Sequence, residues 1–511
     1  MLRRYYKPVM LILATAGVVM LVAMEPTPLV RGPAPYPPEW QWLRRPKATI
    51  HRAGPAVTCA GGLIGLLALA GGSFVRRRPR ASAGVLLAGA TVLGFALQWG
   101  LHKLEEEDAL PTLFRRTISD TFTSYFLVSV TPDARDVGAL LDRYADLLPG
   151  FREKARHAAT HPPGPILYYR GWLAVCESSP RLTTLTVDRL ARPNLDMRLF
   201  RLPAEGPMLA AALLGALGWG LLGAATCWPV AWLARTAGLA APAAIRAGIL
   251  WTLLPAAALM VPTLDLALAL PVAMSTALLA RGLAVGRLRH AGAAGVFGGI
   301  AAFFSYGAVA FLVVGWAAAA CLTAWNPPGK RRVFVAVGVA VSVAIAIHAA
   351  PAWWGYAPLE TARRALAIHR WDYTSQRSYL LWLLFNPWDL VLFLGVPIVL
   401  LGARRTLGAM AAAKEAGSFH SLTPVCRFQA VVAAGLLLLL LSGTVRGEAG
   451  RIFLPLMPLL LVAALAKVPE SSQGPTAGAA GPCGPSAAEA VMLGGLLFGL
   501  DLTVRLCWYV P

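Results

Sequence analysis

The residues best suited to chemistry stand in polar stretches between long apolar runs. His161 opens THPPGPILYYRGW, Thr160 to Trp172. Pro162 and Pro163 fix φ and push the residue before each of them out of the α region, so His161 is left in a stiff, extended turn. Gly164 permits the bend, and Pro165 suits the first turn of a helix whose aromatic run ILYYRGWLAV reads as lying at a membrane interface. Such a turn holds an imidazole at headgroup level for a ligand, or simply opens the helix; the residues leave both open. Two further stretches carry cations and acids. HRWDYTSQRSYLLWLLFNPWDL, His369 to Leu390, contains Arg377 and Tyr379, and TVRGEAGRIFLPLMP, Thr444 to Pro458, contains Arg446, Glu448 and Arg451. Guanidinium and carboxylate groups in short turns suit a phosphate with a sugar attached, and the same arginines could equally snorkel to lipid headgroups. Asp120, in SDTFTSYF, is either a lone loop acid or the cap of a following helix. Asp265, in VPTLDLALALP, would cost about 2.5 to 3.5 kcal/mol at mid-membrane, so it is expected at a helix end or a cavity, as a functional acid or a cap.

The elements that must position these groups are membrane helices. Of 511 residues 57% are hydrophobic and 14% charged, with a mean hydropathy of +0.60, outside the range of ordinary soluble domains. Apolar runs of spanning length recur near 8–24, 55–75, 81–101, 207–232, 246–262, 265–281, 291–305, 306–325, 333–350, 387–402, 428–443, 452–467 and 489–508. Period-2 segments of a barrel are absent, so the expected fold is all-α and polytopic, with about thirteen spans. The run 291–325 is read as two helices broken at FFSYG, Phe303 to Gly307, because that keeps Lys330 to Arg332 on the same side as the other basic clusters. Those clusters (Arg3, Arg4 and Lys7; Arg76 to Arg80; Arg235 with Arg246; Arg281 to Arg289; Arg404 with Arg405) are then inside. Segments 25–54, 102–206, 351–386 and 444–451 fall outside. The second, with apolar Leu140, Leu141, Tyr144, Leu147 and Leu148 at helical spacing, is expected to fold partly into amphipathic interfacial helices.

The division expected is a two-span N-terminal extension over 1–80, a core over 81–468, and 469–511 as a flexible Gly/Pro/Ala linker with a last span. The net charge of +21 is spread in short clusters between apolar runs, which fits positive-inside anchoring and anionic membrane lipid and not nucleic acid. The seven cysteines form no CxxC and support neither a zinc site nor a disulfide framework. Asp501 and Arg505, four apart in the last span, are expected to neutralise each other, and His348 to be a packed or interfacial histidine.

The large loop ending in HPPGPILYY, the PTLD element, the FFSYG break, RSYLLWLLFNPWDL and RGEAGRIFLPLMP together resemble bacterial members of the GT-C glycosyltransferase superfamily. The group resembled is that related to dolichyl-phosphate-mannose-protein mannosyltransferases and aminoarabinose transferases, over residues 80 to 465. The resemblance implies transfer of a sugar from a polyprenyl-phosphate donor to an acceptor, unknown here, on the external face of the bacterial cytoplasmic membrane. It implies Asp120 as the base, with His161 and the arginines near 377, 446 and 451 facing the donor phosphate; some members need a divalent cation. The chain departs from the pattern in having one acid in SDTFTSYF where a pair is usual, the nearest acidic cluster being EEED, Glu105 to Asp108, which reads as a solvated helix end. The loop also follows the third span, and Glu39 in the connector between the two extra spans is a remote alternative acid. A transporter or flippase of a lipid-linked solute, with broken helices and buried ionisable groups along a path, is the rival reading, and a non-catalytic assembly partner a third.

Overall fold

The computed structural model describes residues 2–36, 38–45, 49–105, 109–120, 122–190, 206–323, 327–467 and 484–510. The predicted linker 471–486 lies outside them except for its last three residues, as do Glu106 to Asp108. The described chain is almost wholly helical, and its strands are two antiparallel dipeptides, Leu43–Arg44 with Trp508–Tyr509. Eight helices are long and apolar enough to cross a membrane: Tyr6–Met24, Pro79–His102, Gly206–Thr236, Leu264–Val285, Pro328–Trp354, Val396–Glu415, Pro424–Leu441 and Ala487–Cys507. The molecule is a multi-pass membrane protein. Five shorter apolar helices accompany them, at Gly54–Leu69, Leu288–Phe304, Gly307–Cys321, Tyr379–Leu394 and Leu454–Leu465.

One expected break is present and two of the expected spans are interrupted, in ways that backbone chemistry explains. The FFSYG break is present: Ser305 is extended (φ −156°, ψ 129°), separating Leu288–Phe304 from Gly307–Cys321. The span expected at 387–402 is instead cut in two at Gly395, whose φ of +89° ends one helix; Pro397 then sits in the first turn of the next. The run 246–262 is likewise interrupted, as helices Ala241–Trp251 and Pro255–Leu259.

The polar segments converge on one end of the helix bundle. Arg152 grips Asp372 through Nε and Nη2 (2.9 and 2.6 Å), and Arg364 meets Asp146 at 2.7 Å, joining the largest loop to segment 351–386. Glu39 is buried and accepts from Ser378 N and Trp382 Nε1, both at 2.7 Å, so it caps a helix start and is no solvent-facing acid. Trp42 Nε1 donates to Asp389 Oδ1 at 3.1 Å. Glu105 is a hub, not the solvated helix end the sequence suggests. It accepts from Arg116 (2.8 and 2.9 Å), pairs with Arg45 at 3.0 Å and accepts from Arg505, and all four side chains are buried. Burial alone would raise its carboxyl, but the charges of Arg116, Arg505 and Arg45 hold it below the usual carboxylate range. Arg505 is thus taken by Glu105, and the expected Asp501–Arg505 neutralisation is not what forms; neither Asp501 oxygen has a hydrogen-bond partner.

The opposite end is basic. Arg246 Nη1 donates to Pro485 O at 2.8 Å, Arg427 Nη2 to Thr323 O at 3.0 Å and Arg332 Nη1 to Leu283 O at 3.4 Å. Arg427 and Arg332 thus cover carbonyls at helix C-terminal ends, where the helix dipole is negative, and Arg246 ties the start of helix Ala487–Cys507. Below, "loop face" and "basic face" denote these two ends.

Candidate functional site at the loop face

The predicted amphipathic helices form and carry the proline turn. Asp136 caps Val137–Asp142 by accepting from Ala139 N at 3.1 Å, and helix Tyr144–Lys154 buries Tyr144, Leu148 and Phe151. Each such side chain contributes about 1.5 to 3 kcal/mol on burial. The Tyr144 hydroxyl then donates to His161 O at 3.1 Å, fixing the turn from below. Helix Gly164–Ser178 follows with Pro165 in its first turn, as expected. Its aromatic side does not simply face lipid: Tyr168 stacks on Trp219 (5.4 Å, 23°) and donates to Gly215 O at 2.9 Å, seating the helix on a membrane-spanning one. Gly164 is needed for closeness more than for bending, because a Cβ there would run into the carbonyl oxygen of Phe303.

Burial brings the His161 pKa down to about 3, with the neighbouring His157, His369 and Arg451 acting in the same direction by charge. It is therefore neutral near pH 7. Its Nδ1 lies 2.8 Å from His157 O, which places the proton on Nδ1 and leaves Nε2 as an acceptor. Its ring meets the edge of Tyr125 at 5.3 Å. Tyr125 opens the short helix Tyr125–Ser129 behind Ser124, whose left-handed φ of +52° is held by Ala158 N donating to its Oγ at 3.1 Å.

Beneath these rings lies a charged cluster. Arg451 Nη2 meets Glu448 Oε2 at 2.7 Å, and its Nε meets Asp265 Oδ2 at 3.3 Å. Side-chain exposures are 11% for Arg451, 12% for Glu448 and 22% for Asp265, so Asp265 is the most open of the three. Burial opposes the Arg451 charge, yet Glu448 and Asp265 outweigh it and hold its pKa above the ordinary value. Glu448 also sits in the left-handed region, at φ +56°. Asp265 is not the cap of its helix, since Thr263 Oγ1 takes that role by accepting from Leu266 N. Burial, followed by the negative charge of Asp265, raises the Tyr125 phenol well above its usual value.

A second aromatic layer comes from segment 351–386. Tyr373 stacks with His157 at 6.3 Å and lies 5.4 Å from His369. Burial raises its phenol and lowers the His369 imidazole. None of Tyr125, His157, His369 and Tyr373 was singled out from sequence. The available signal was the i, i+4 spacing of His157 with His161 and of His369 with Tyr373.

The remaining predicted residues fall elsewhere. Arg377 Nη1 donates to Arg446 O (2.5 Å) and Arg446 Nη1 to Arg377 O (2.7 Å), while Arg446 Nε donates to Gly443 O at 3.0 Å. Tyr379 donates to Leu441 O at 2.8 Å and lies under Arg446. These three form a brace beside the cluster, with Arg377 Nη1, Arg446 Nε and Nη1 and the Tyr379 hydroxyl committed to carbonyls. Asp120 stands exposed in the turn leading to Tyr125 and caps no helix. Among the described residues no three His, Cys, Asp or Glu side chains come together as metal ligands, and both carboxylates of the cluster are engaged by Arg451, so the donor set does not fit a resident divalent cation. No protein-family model, curated protein or solved structure matches this chain.

Proposed function

We propose that the protein is a glycosyltransferase of the bacterial cytoplasmic membrane, GT-C-like in organisation, with about thirteen crossings. It would move a sugar from a polyprenyl-phosphate donor to an acceptor at the loop face, that face being external. The observation that carries this reading is the Asp265–Arg451–Glu448 cluster. An open carboxylate stands beside a guanidinium at the mouth of a membrane-spanning helix, roofed by the two largest polar segments. That is where a lipid-borne phosphate and a soluble acceptor would meet.

The chemistry is an inverting displacement. A carboxylate takes the proton of the acceptor hydroxyl, the acceptor oxygen bonds to the anomeric carbon, and the bond from that carbon to the phosphate oxygen breaks with its electron pair on the leaving phosphate. General-base help is worth about 10²- to 10⁴-fold, and Arg451 would stabilise the charge on the leaving group. Asp265 suits the base better than exposed Asp120, because it is close to the cation that would hold the phosphate. Neutral His161 would accept a sugar hydroxyl at Nε2 and would not serve as the phosphate's cation.

The test is release of polyprenyl phosphate from radiolabelled polyprenyl-phosphate sugars by membranes holding wild-type protein, Asp265→Asn or Asp120→Asn. Release lost with Asp265→Asn and kept with Asp120→Asn is expected; the converse would return the base to Asp120. No release from any donor would overturn the reading. It would favour transport of a lipid-linked solute, for which the interrupted run 241–259 and buried Asp501 are the supporting features.

A further inference from the structure

At the basic face, far from the site above, a cavity of about 340 Å³ opens between four helices, near the lower end of the size range of ligand pockets. It is lined by Thr236, Leu283, Ala284, Thr323, Pro328 and Arg332, among others. Three of the helices present their C-terminal ends there: Cys227–Thr236, Leu264–Val285 and Gly307–Cys321. The fourth, Pro327–Ala349, presents its N-terminal turn.

Charge decides what such a space would hold. Three C-terminal ends bring together about −1.5 charge units and one N-terminal end about +0.5. Against them stand Arg332 in the lining and, within three residues of lining positions along the chain, the exposed Arg287, Lys330 and Arg331. Between residues 206 and 359 the chain has eight Lys and Arg and a single acid, Asp265, which lies at the other face. Among the described residues the lining thus carries one full positive charge and no carboxylate, and its flanking residues add only cations. Among the described residues Arg332 donates to one helix-end carbonyl, Leu283 O, at 3.4 Å, and its planar fork carries further donors that suit a phosphate. Thr236 and Thr323 add hydroxyl groups, while Leu283 and Ala284 make an apolar wall continuous with the membrane helices.

We propose that this cavity binds the phosphate headgroup of an anionic phospholipid, with Arg332 as its charge partner and the apolar wall against the start of the acyl chains. Basic pockets between membrane helices recognise such headgroups because a phosphate diester accepts from the guanidinium while its chains remain in the bilayer. The proposal is independent of the reaction proposed for the loop face.

The experiment uses full-length protein in neutral detergent micelles doped with phosphatidylglycerol or phosphatidylcholine, with lipid retention read by native mass spectrometry. Arg332→Ala removes the charge, Ala284→Trp fills the space and keeps the charge, and Arg289→Ala is the reference on the same face. Phosphatidylglycerol should be retained over phosphatidylcholine, falling roughly fivefold in Arg332→Ala. It should fall comparably in Ala284→Trp and be unchanged in Arg289→Ala. Equal retention by all four proteins, or no preference for the anionic lipid, overturns the proposal. So does displacement of the lipid by millimolar inorganic phosphate with the same Arg332 dependence, which would assign the cavity to a soluble phosphate.

Discussion

Replacing Arg451 by methionine removes the cation between two carboxylates and keeps most of the side-chain volume. At 2.7 and 3.3 Å, and an effective dielectric of about 20, each pair is worth about 5 to 6 kcal/mol before desolvation is charged against it. Breaking a buried pair by removing one partner costs about 3 to 5 kcal/mol, because the other charge is left uncompensated. Asp265, 22% exposed, recovers part of that from solvent, so about 3 kcal/mol is expected, a shift of roughly 150-fold in the unfolding equilibrium. The assay is reversible unfolding in mixed micelles by titration with dodecyl sulfate. The informative comparison is the triple variant Arg451→Met, Asp265→Asn, Glu448→Gln. It should be more stable than Arg451→Met alone, since the stranded charges are gone. A loss below about 0.5 kcal/mol in the single variant, the size of an ordinary surface change, would refute the account. A triple variant less stable than the single would refute it equally.

Glu105→Gln should cost about 3 to 5 kcal/mol in the same titration by leaving three buried arginines without a counter-charge, and adding Arg505→Met should restore part of it. His161 makes stability pH-dependent. Its folded pKa, about 3, lies below the unfolded value near 6.5, so the unfolded chain binds more protons between the two. Its contribution is whole above pH 6.5 and is lost as pH falls toward 3, by up to about 1.4 kcal/mol per pH unit, and His161→Gln should flatten that slope in a series of thermal melts. Gly164→Ala should destabilise by about 1 to 3 kcal/mol, since the new methyl displaces the Phe303 carbonyl; a neutral result in the melt would mean the turn is not seated there.

What the sequence disclosed was periodicity, polarity and proline. Helical spacing located the buried side of Tyr144–Lys154, and Pro162, Pro163 and Pro165 located the turn and the helix after it. The basic clusters sorted helix ends to one face because short loops carry that bias directly. The partners of charged groups were hidden, since they are set by contacts between distant segments. Glu105 looked like a member of an acidic run and Asp501 like the neighbour of Arg505, whereas the fold brings Arg505 to Glu105. Arg377 and Arg446 looked alike to Arg451 in composition, yet two brace backbone carbonyls and one faces carboxylates. Gly395 was concealed inside an apolar run, where hydropathy has no term for a positive φ.

The Arg505–Glu105 pair spans 400 residues. During synthesis at about 5 to 20 residues per second, Glu105 enters the membrane roughly 20 to 80 s before its partner exists. Arg45 and Arg116 are made early enough to hold it in the interval, but the pairing of Trp508–Tyr509 with Leu43–Arg44 must wait for the last helix. The loop at Leu43–Arg44 is therefore latched by residues made more than 400 positions later, and a ribosome that stalls before residue 505 leaves Glu105 without Arg505 and the loop face unsealed.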